Sequence, residues 1–197
     1  MKNKDKKQGR LITNMASYAV LQIVNMLVGL FLPRLYLAVY GSEVNGIIST
    51  ANSFISYFSY LEAGIGLTLI HSLFKPLAEN NVKQTNGILS YSQKQYRRIS
   101  GIYFILVVAL SLLFPIISSS YALSRWEFVS LVFVIGTYGA LDFFTMAKYR
   151  VLLTADRKEY VISNAFIIAQ LLRFCFVWLL LQFNLSVVFV KIVPILT

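Results

Sequence analysis

The sequence predicts an all-α integral membrane protein: a bundle of five complete transmembrane helices plus a truncated sixth, with a cytoplasmic amino terminus. Three observations carry this. Of 197 residues, 57% are hydrophobic and 13% charged, with a mean hydropathy of +0.68; soluble domains carry about 25% charged residues. Long apolar runs recur, and roughly 20 residues at about 1.5 Å each cross a bilayer's hydrocarbon. Basic residues collect in alternate connections.

Residues 1–10 form a basic tail with Lys2, Lys4, Lys6, Lys7 and Arg10, and residues 11–197 form the transmembrane bundle. The uncharged run Leu11–Leu32 is 22 residues, too long for a signal-peptide core of about 7–15 residues. It is the first span, with a polar stripe of Asn14, Tyr18, Gln22, Asn25, Gly29 and Pro33. The turn Tyr40-Gly41-Ser42-Glu43 leads to a second span, in which Val44 to Phe74 contain only Glu62 and His71 as ionisable residues. Asn45, Ser49, Asn52, Ser56, Ser59, Ala63 and Gly66 recur at spacings of four and three, which predicts one continuous polar and small face. Lys75–Arg98 reads as a polar loop and Ile99–Ser124 as the third span, interrupted by Pro115. Phe128–Ala147, broken by Asp142, is the fourth. Lys148–Glu159 reads as a basic loop and Tyr160–Leu185, carrying Arg173, as the fifth. Ser186–Thr197, with Lys191 and Pro194, is too short to span, so the expectation is a sixth helix cut short or a fragment.

The tail and the second-to-third loop hold five Lys or Arg each, and the fourth-to-fifth loop holds four. The other connections hold little beyond Arg34 and Arg125. Positive loops stay in the cytoplasm, so odd-numbered spans run outward.

The net charge of +10 does not indicate nucleic acid, because the cations lie between apolar runs rather than along one soluble face. The single cysteine, Cys175, excludes an intrachain disulfide. No metal-ligand spacing, nucleophile elbow, phosphate loop or carboxylate pair is present, so neither an enzyme, a metal nor a cofactor is expected. The candidates for function are the intramembrane ionisable groups. Arg173 shares a helical face with Ser163, Phe166 and Gln170. Its planar fork suits a phosphate; the other reading is a structural ion pair with Asp142 or Glu62. Asp142 and Glu62 suit either a lumen or interfacial water. His71 reads as interfacial, and Arg34 reads as able to snorkel to headgroups. The polar stripes suit a cavity, or equally the glue between helices.

In four motifs the chain resembles the bacterial oligosaccharide-lipid flippases of O-antigen and capsular polysaccharide export. These belong to the multidrug/oligosaccharidyl-lipid/polysaccharide exporter superfamily. The motifs are Tyr40-Gly41-Ser42-Glu43-Val44-Asn45-Gly46, Leu61-Glu62-Ala63-Gly64-Ile65-Gly66, Leu73-Phe74-Lys75-Pro76-Leu77-Ala78-Glu79 and the stretch from Tyr149 to Tyr160. The resemblance implies the amino-terminal half of an alternating-access transporter in the bacterial cytoplasmic membrane. Such a transporter carries polyprenyl-diphosphate oligosaccharide from the inner to the outer leaflet. It makes Arg34, Arg173, Asn25 and Asn52 cavity candidates and Glu62 and Asp142 ion-coupling candidates. Lipid-linked oligosaccharide, membrane lipid, a glycan polymerase and glycosyltransferases are the partners it implies. Alternative expectations are a drug or cation antiporter of the same superfamily, a membrane-embedded glycan polymerase or glycosyltransferase, and a non-transporting scaffold.

Overall fold

A computed structural model of the chain describes residues 2–58, 60, 62–117, 123–183 and 186–196. Every regular element among them is a helix: α1 (Lys2–Phe58), α2 (Ala63–Ala78), α3 (Val82–Ile117), α4 (Arg125–Thr145), α5 (Ala147–Ala155), α6 (Glu159–Leu181) and α7 (Val187–Leu196). Among the described residues four helices, α1, α3, α4 and α6, are long and apolar enough to cross a membrane. On α1, Ile12, Met15, Ile23, Met26 and Leu30 are each more than half exposed. Such a surface would drive association in water but is at home in hydrocarbon. The chain is a membrane-embedded, multi-pass protein.

Within α1 the backbone leaves the helix at Gly41, where φ is 81° and ψ 175°. An L side chain rarely adopts that φ, so glycine suits the position. The contacts show the chain doubling back there. Asn14 meets the start of α6, and Tyr36 reaches a core cluster with Val177 and Leu181 near its end. After Gly41, Val44 and Ile47 lie in that same cluster, whereas Phe58 packs edge-on against Tyr103 in a second cluster with α2 and α5. One helical element thus contains both of the first two sequence-predicted spans.

The remaining helices follow the same two-ended plan. α1 and α6 run parallel, as the pairs Asn14–Tyr160 and Asn25–Gln170 show. α3 and α4 run antiparallel, from Ser100 Oγ donating to the Ala140 carbonyl at 2.8 Å to Phe114 against Phe128. They pack tightly at Gly136 and Gly139, where an added Cβ would run into Val107 and the Tyr103 hydroxyl. Small residues let membrane helices approach closely, where dispersion and weak polar contacts replace the hydrophobic effect. α4 begins with a capping box, in which Ser124 Oγ accepts from the Glu127 N–H and Glu127 Oε2 accepts from Ser124.

Three sequence expectations need correction. The second span is not one helix: it breaks between Phe58 and Ala63, so the face from Asn45 to Gly66 is not continuous, and Ser59 lies outside the described residues. The stretch Lys75–Arg98 is largely helical. α2 runs to Ala78, and α3 starts at Val82 behind Asn81, whose Oδ1 accepts from the Gln84 N–H at 3.1 Å. Likewise most of α5 falls within Lys148–Glu159, and the helix buries Ala147, Val151 and Ala155 at helical spacing. Charge marks where a helix leaves the apolar zone, and not where it ends; periodicity decides the latter.

Gly139→Ala should therefore destabilise the fold by about 1–3 kcal/mol, the usual range for overpacking. Gly101→Ala, with nothing within 4 Å, should be neutral or stabilising. Thermal unfolding in detergent checks the contrast.

Candidate functional site

The first span's stripe and the second span's stripe flank one cavity of about 580 Å³. Asn25, Gly29 and Pro33 line it before the bend, and Asn45, Ser49 and Asn52 after it. α4 contributes Tyr138, Gly139 and Asp142, α6 contributes Gln170 and Arg173, and α7 contributes Lys191. Arg173 also lines an adjoining pocket of about 360 Å³ with Asn25 and Gln170. Of the sequence candidates, Asn25, Asn52, Arg173 and Asp142 are thus brought together. Arg34 and Glu62 are not. Arg34 is exposed, does not line this cavity, and follows a proline inside α1. Glu62 lies in the turn before α2 and accepts a 3.1 Å hydrogen bond from the Tyr96 hydroxyl.

The polar groups divide into those spent on packing and those left open. Asn14 Nδ2 donates to the Arg157 carbonyl, and its Oδ1 accepts from the Tyr160 N–H at 2.9 Å. Gln170 Nε2 donates to Asn25 Oδ1 at 2.8 Å. These bonds join α1 to α6, so both readings of the first stripe hold at once: it glues helices and lines a cavity. In the second stripe the Ser56 hydroxyl donates to the Ser53 carbonyl, and beside the stripe the Ser53 hydroxyl donates to the Ser49 carbonyl, which satisfies both without water. Asn52 is exposed on the cavity side.

The ion pairs decide the electrostatics. Asp142 Oδ2 pairs with Arg150 at 2.7 Å, eight residues on, with both side chains less than a third exposed. The structural pairing of Arg173 with Asp142 or Glu62 is therefore not adopted: one carboxylate is held by Arg150 and the other by Tyr96. Arg173 Nε is buried without a hydrogen-bond partner. A cation at the centre of a bilayer costs about 3 kcal/mol on insertion scales, so an arginine left open this way calls for a ligand or hydrated surroundings.

Lys191 was not singled out in the sequence. Its ammonium sits 4.2 Å from the centre of the Tyr36 ring, a cation–π contact, and it lines the same cavity as Arg173. The available signal was a lone lysine in the apolar segment that became α7. His71 lies edge-on to Phe74 and is exposed, away from the cavity. No protein-family model, curated protein or solved structure matches the chain.

The cavity should be wet. In a Cys175→Ala background, Asn52→Cys should react with a charged, water-borne methanethiosulfonate in membranes, and Leu30→Cys, on the lipid-facing side, should not. Equal inertness at both positions would mean that the cavity is dry.

Proposed function

We propose that this chain forms one bundle of a flippase for lipid-linked oligosaccharide, in which the cavity takes the anionic diphosphate between sugar and lipid. The observation that carries the reading is the buried Nε of Arg173, which has no hydrogen-bond partner, in a cavity that Lys191 also lines and whose carboxylate, Asp142, is held by Arg150. Arg grips phosphate oxygens two at a time, and Lys adds a point charge. The neutral asparagines and Gln170 supply donors and acceptors suited to a hydroxylated cargo. This charge balance disfavours a cationic drug, which would meet two like charges. The motifs that resemble the oligosaccharide-lipid flippases point the same way.

In this reading the chain crosses a bacterial cytoplasmic membrane five times before α7, starting from the cytoplasm, with its bend at Gly41 on the outer side. The alternation of basic connections supports that orientation. Ser49, Asn52 and Ser53 remain exposed on the return limb of α1. A second bundle facing them would close the cavity, because alternating access requires two repeats that rock against each other. Glu62, bonded to Tyr96, and Asp142 are the groups through which an ion gradient would act.

Two experiments test the reading. With single cysteines in a Cys175→Ala background, an impermeant maleimide on intact cells should label Ser42→Cys and Arg125→Cys but not Lys83→Cys or Arg157→Cys. The reverse pattern would invert the topology. In cells whose surface glycan depends on this protein, Arg173→Ala should lower export at least tenfold. Arg173→Lys should retain part of it, since charge survives while the fork is lost. Wild-type export by Arg173→Ala at equal abundance would remove the anion-contact role.

A further inference from the structure

Away from the central cavity, a second cleft of about 880 Å³ opens where the start of α1, the end of α2 and the α5–α6 turn come together. Three boundaries between polar and apolar sequence meet there: Arg10 before Leu11, Glu79 after Ala78, and Arg157 shortly before Tyr160. Two of the three are tied together by side-chain bonds, because Asn14 bonds both the Arg157 carbonyl and the Tyr160 N–H. For a protein embedded in a bilayer, the level at which three helices change from polar to apolar is the headgroup level.

We propose that this cleft binds the phosphate headgroup of an anionic phospholipid between Arg10 and Arg157, with an acyl chain lying along Leu11, Met15 and Phe74. The proposal rests on the membrane embedding and not on the transport reading. Among the described residues neither arginine has an ion-pair partner. Asp156, next in sequence, is held by Lys158 at 2.6 Å, which leaves Glu159 as the other carboxylate on the rim. The lining holds Arg10 and Arg157 against Asp156 and Glu159, and the charge of Asp156 is already met by Lys158, which stands outside the lining. Arg157 sits in the left-handed region, φ 57°, at a turn closed by the Lys158 N–H donating to the Leu153 carbonyl at 2.8 Å. Its backbone is thereby anchored on two sides, and only the long side chain remains free to reach a phosphate.

The wall separates a lipid from a soluble anion. Leu11 is 58% exposed, Met15 65% and Phe74 45%; Leu11 and Met15 follow Arg10 on its apolar side, and Phe74 lies on α2 ahead of its polar end. A free phosphate has no use for that surface, whereas a phospholipid places its headgroup and its first methylenes on the two sides of one boundary. A polybasic juxtamembrane site gains about 1 kcal/mol per Lys or Arg from anionic lipid, so each arginine should be worth about fivefold in affinity.

The test is native mass spectrometry of the purified protein from detergent with equimolar phosphatidylglycerol and phosphatidylcholine. Wild type should retain phosphatidylglycerol in preference, and Arg10→Gln/Arg157→Gln should bring the two lipids close to parity. A control that removes the same charge elsewhere, Lys83→Gln/Lys94→Gln, should keep the preference. Arg10→Gln alone, on an exposed helix surface, should lose about fivefold and keeps the test decisive if the turn variant does not fold. Millimolar inorganic phosphate should leave the phospholipid bound. Undiminished preference in the arginine variants, an equal loss in the lysine control, or displacement by inorganic phosphate would each overturn the proposal. So would retention of a polyprenyl diphosphate in place of phosphatidylglycerol.

Discussion

Asp142 is the carboxylate of the central cavity, and Arg150 holds it at 2.7 Å. The character of everything around it depends on that pairing. A free carboxylate facing Arg173 would close a structural ion pair and leave the cavity neutral. With Asp142 occupied from the α5 side, Arg173 and Lys191 remain as cations without acidic partners among the described residues, surrounded by amides and tyrosines. Isolated charges in hydrocarbon are costly, so the bundle must keep this region either wet or occupied.

The packing gives the pair its geometry. Asp142 lies near the end of α4 and Arg150 lies in α5, and the two helices are separated by the short step at Met146. α4 is held against α3 by the close approach at Gly136 and Gly139, with Tyr103 and Val107 filling the space that side chains would have taken. On the other side, α6 is pinned parallel to α1 through Asn14 and Asn25. Cavity walls therefore come from two packed pairs, α3 with α4 and α1 with α6. The cations stand on the second pair and on α7, and Asp142 on the first.

Much of the architecture was legible in the sequence because hydrocarbon imposes a simple rule: apolar runs are spans and polar stripes face inward. That rule located Asn25, Asn52, Asp142 and Arg173, which the structure gathers around one cavity. It did not separate Glu62 from them, because helical spacing from Asn45 to Gly66 assumes one unbroken helix, whereas α1 ends at Phe58 and α2 starts at Ala63. It also did not find the helical extension of α3 through Val82–Arg98, or α5, because charge was read as loop. Lys191 escaped because a segment of ten residues carries little periodic signal. The choice between Arg150 and Arg173 as the partner of Asp142 was beyond the sequence: it depends on a step between two helices, not on spacing along one.

Binding of a short-chain prenyl diphosphate to the purified protein tests most directly whether the Asp142–Arg150 pair sets the charge of the cavity. Arg150→Gln frees the carboxylate and should weaken binding roughly tenfold, an effect of about 1.4 kcal/mol of charge repulsion. Adding Asp142→Asn to that variant should restore it. Calorimetry showing wild-type affinity in Arg150→Gln, or no recovery in the folded double variant, would contradict the account.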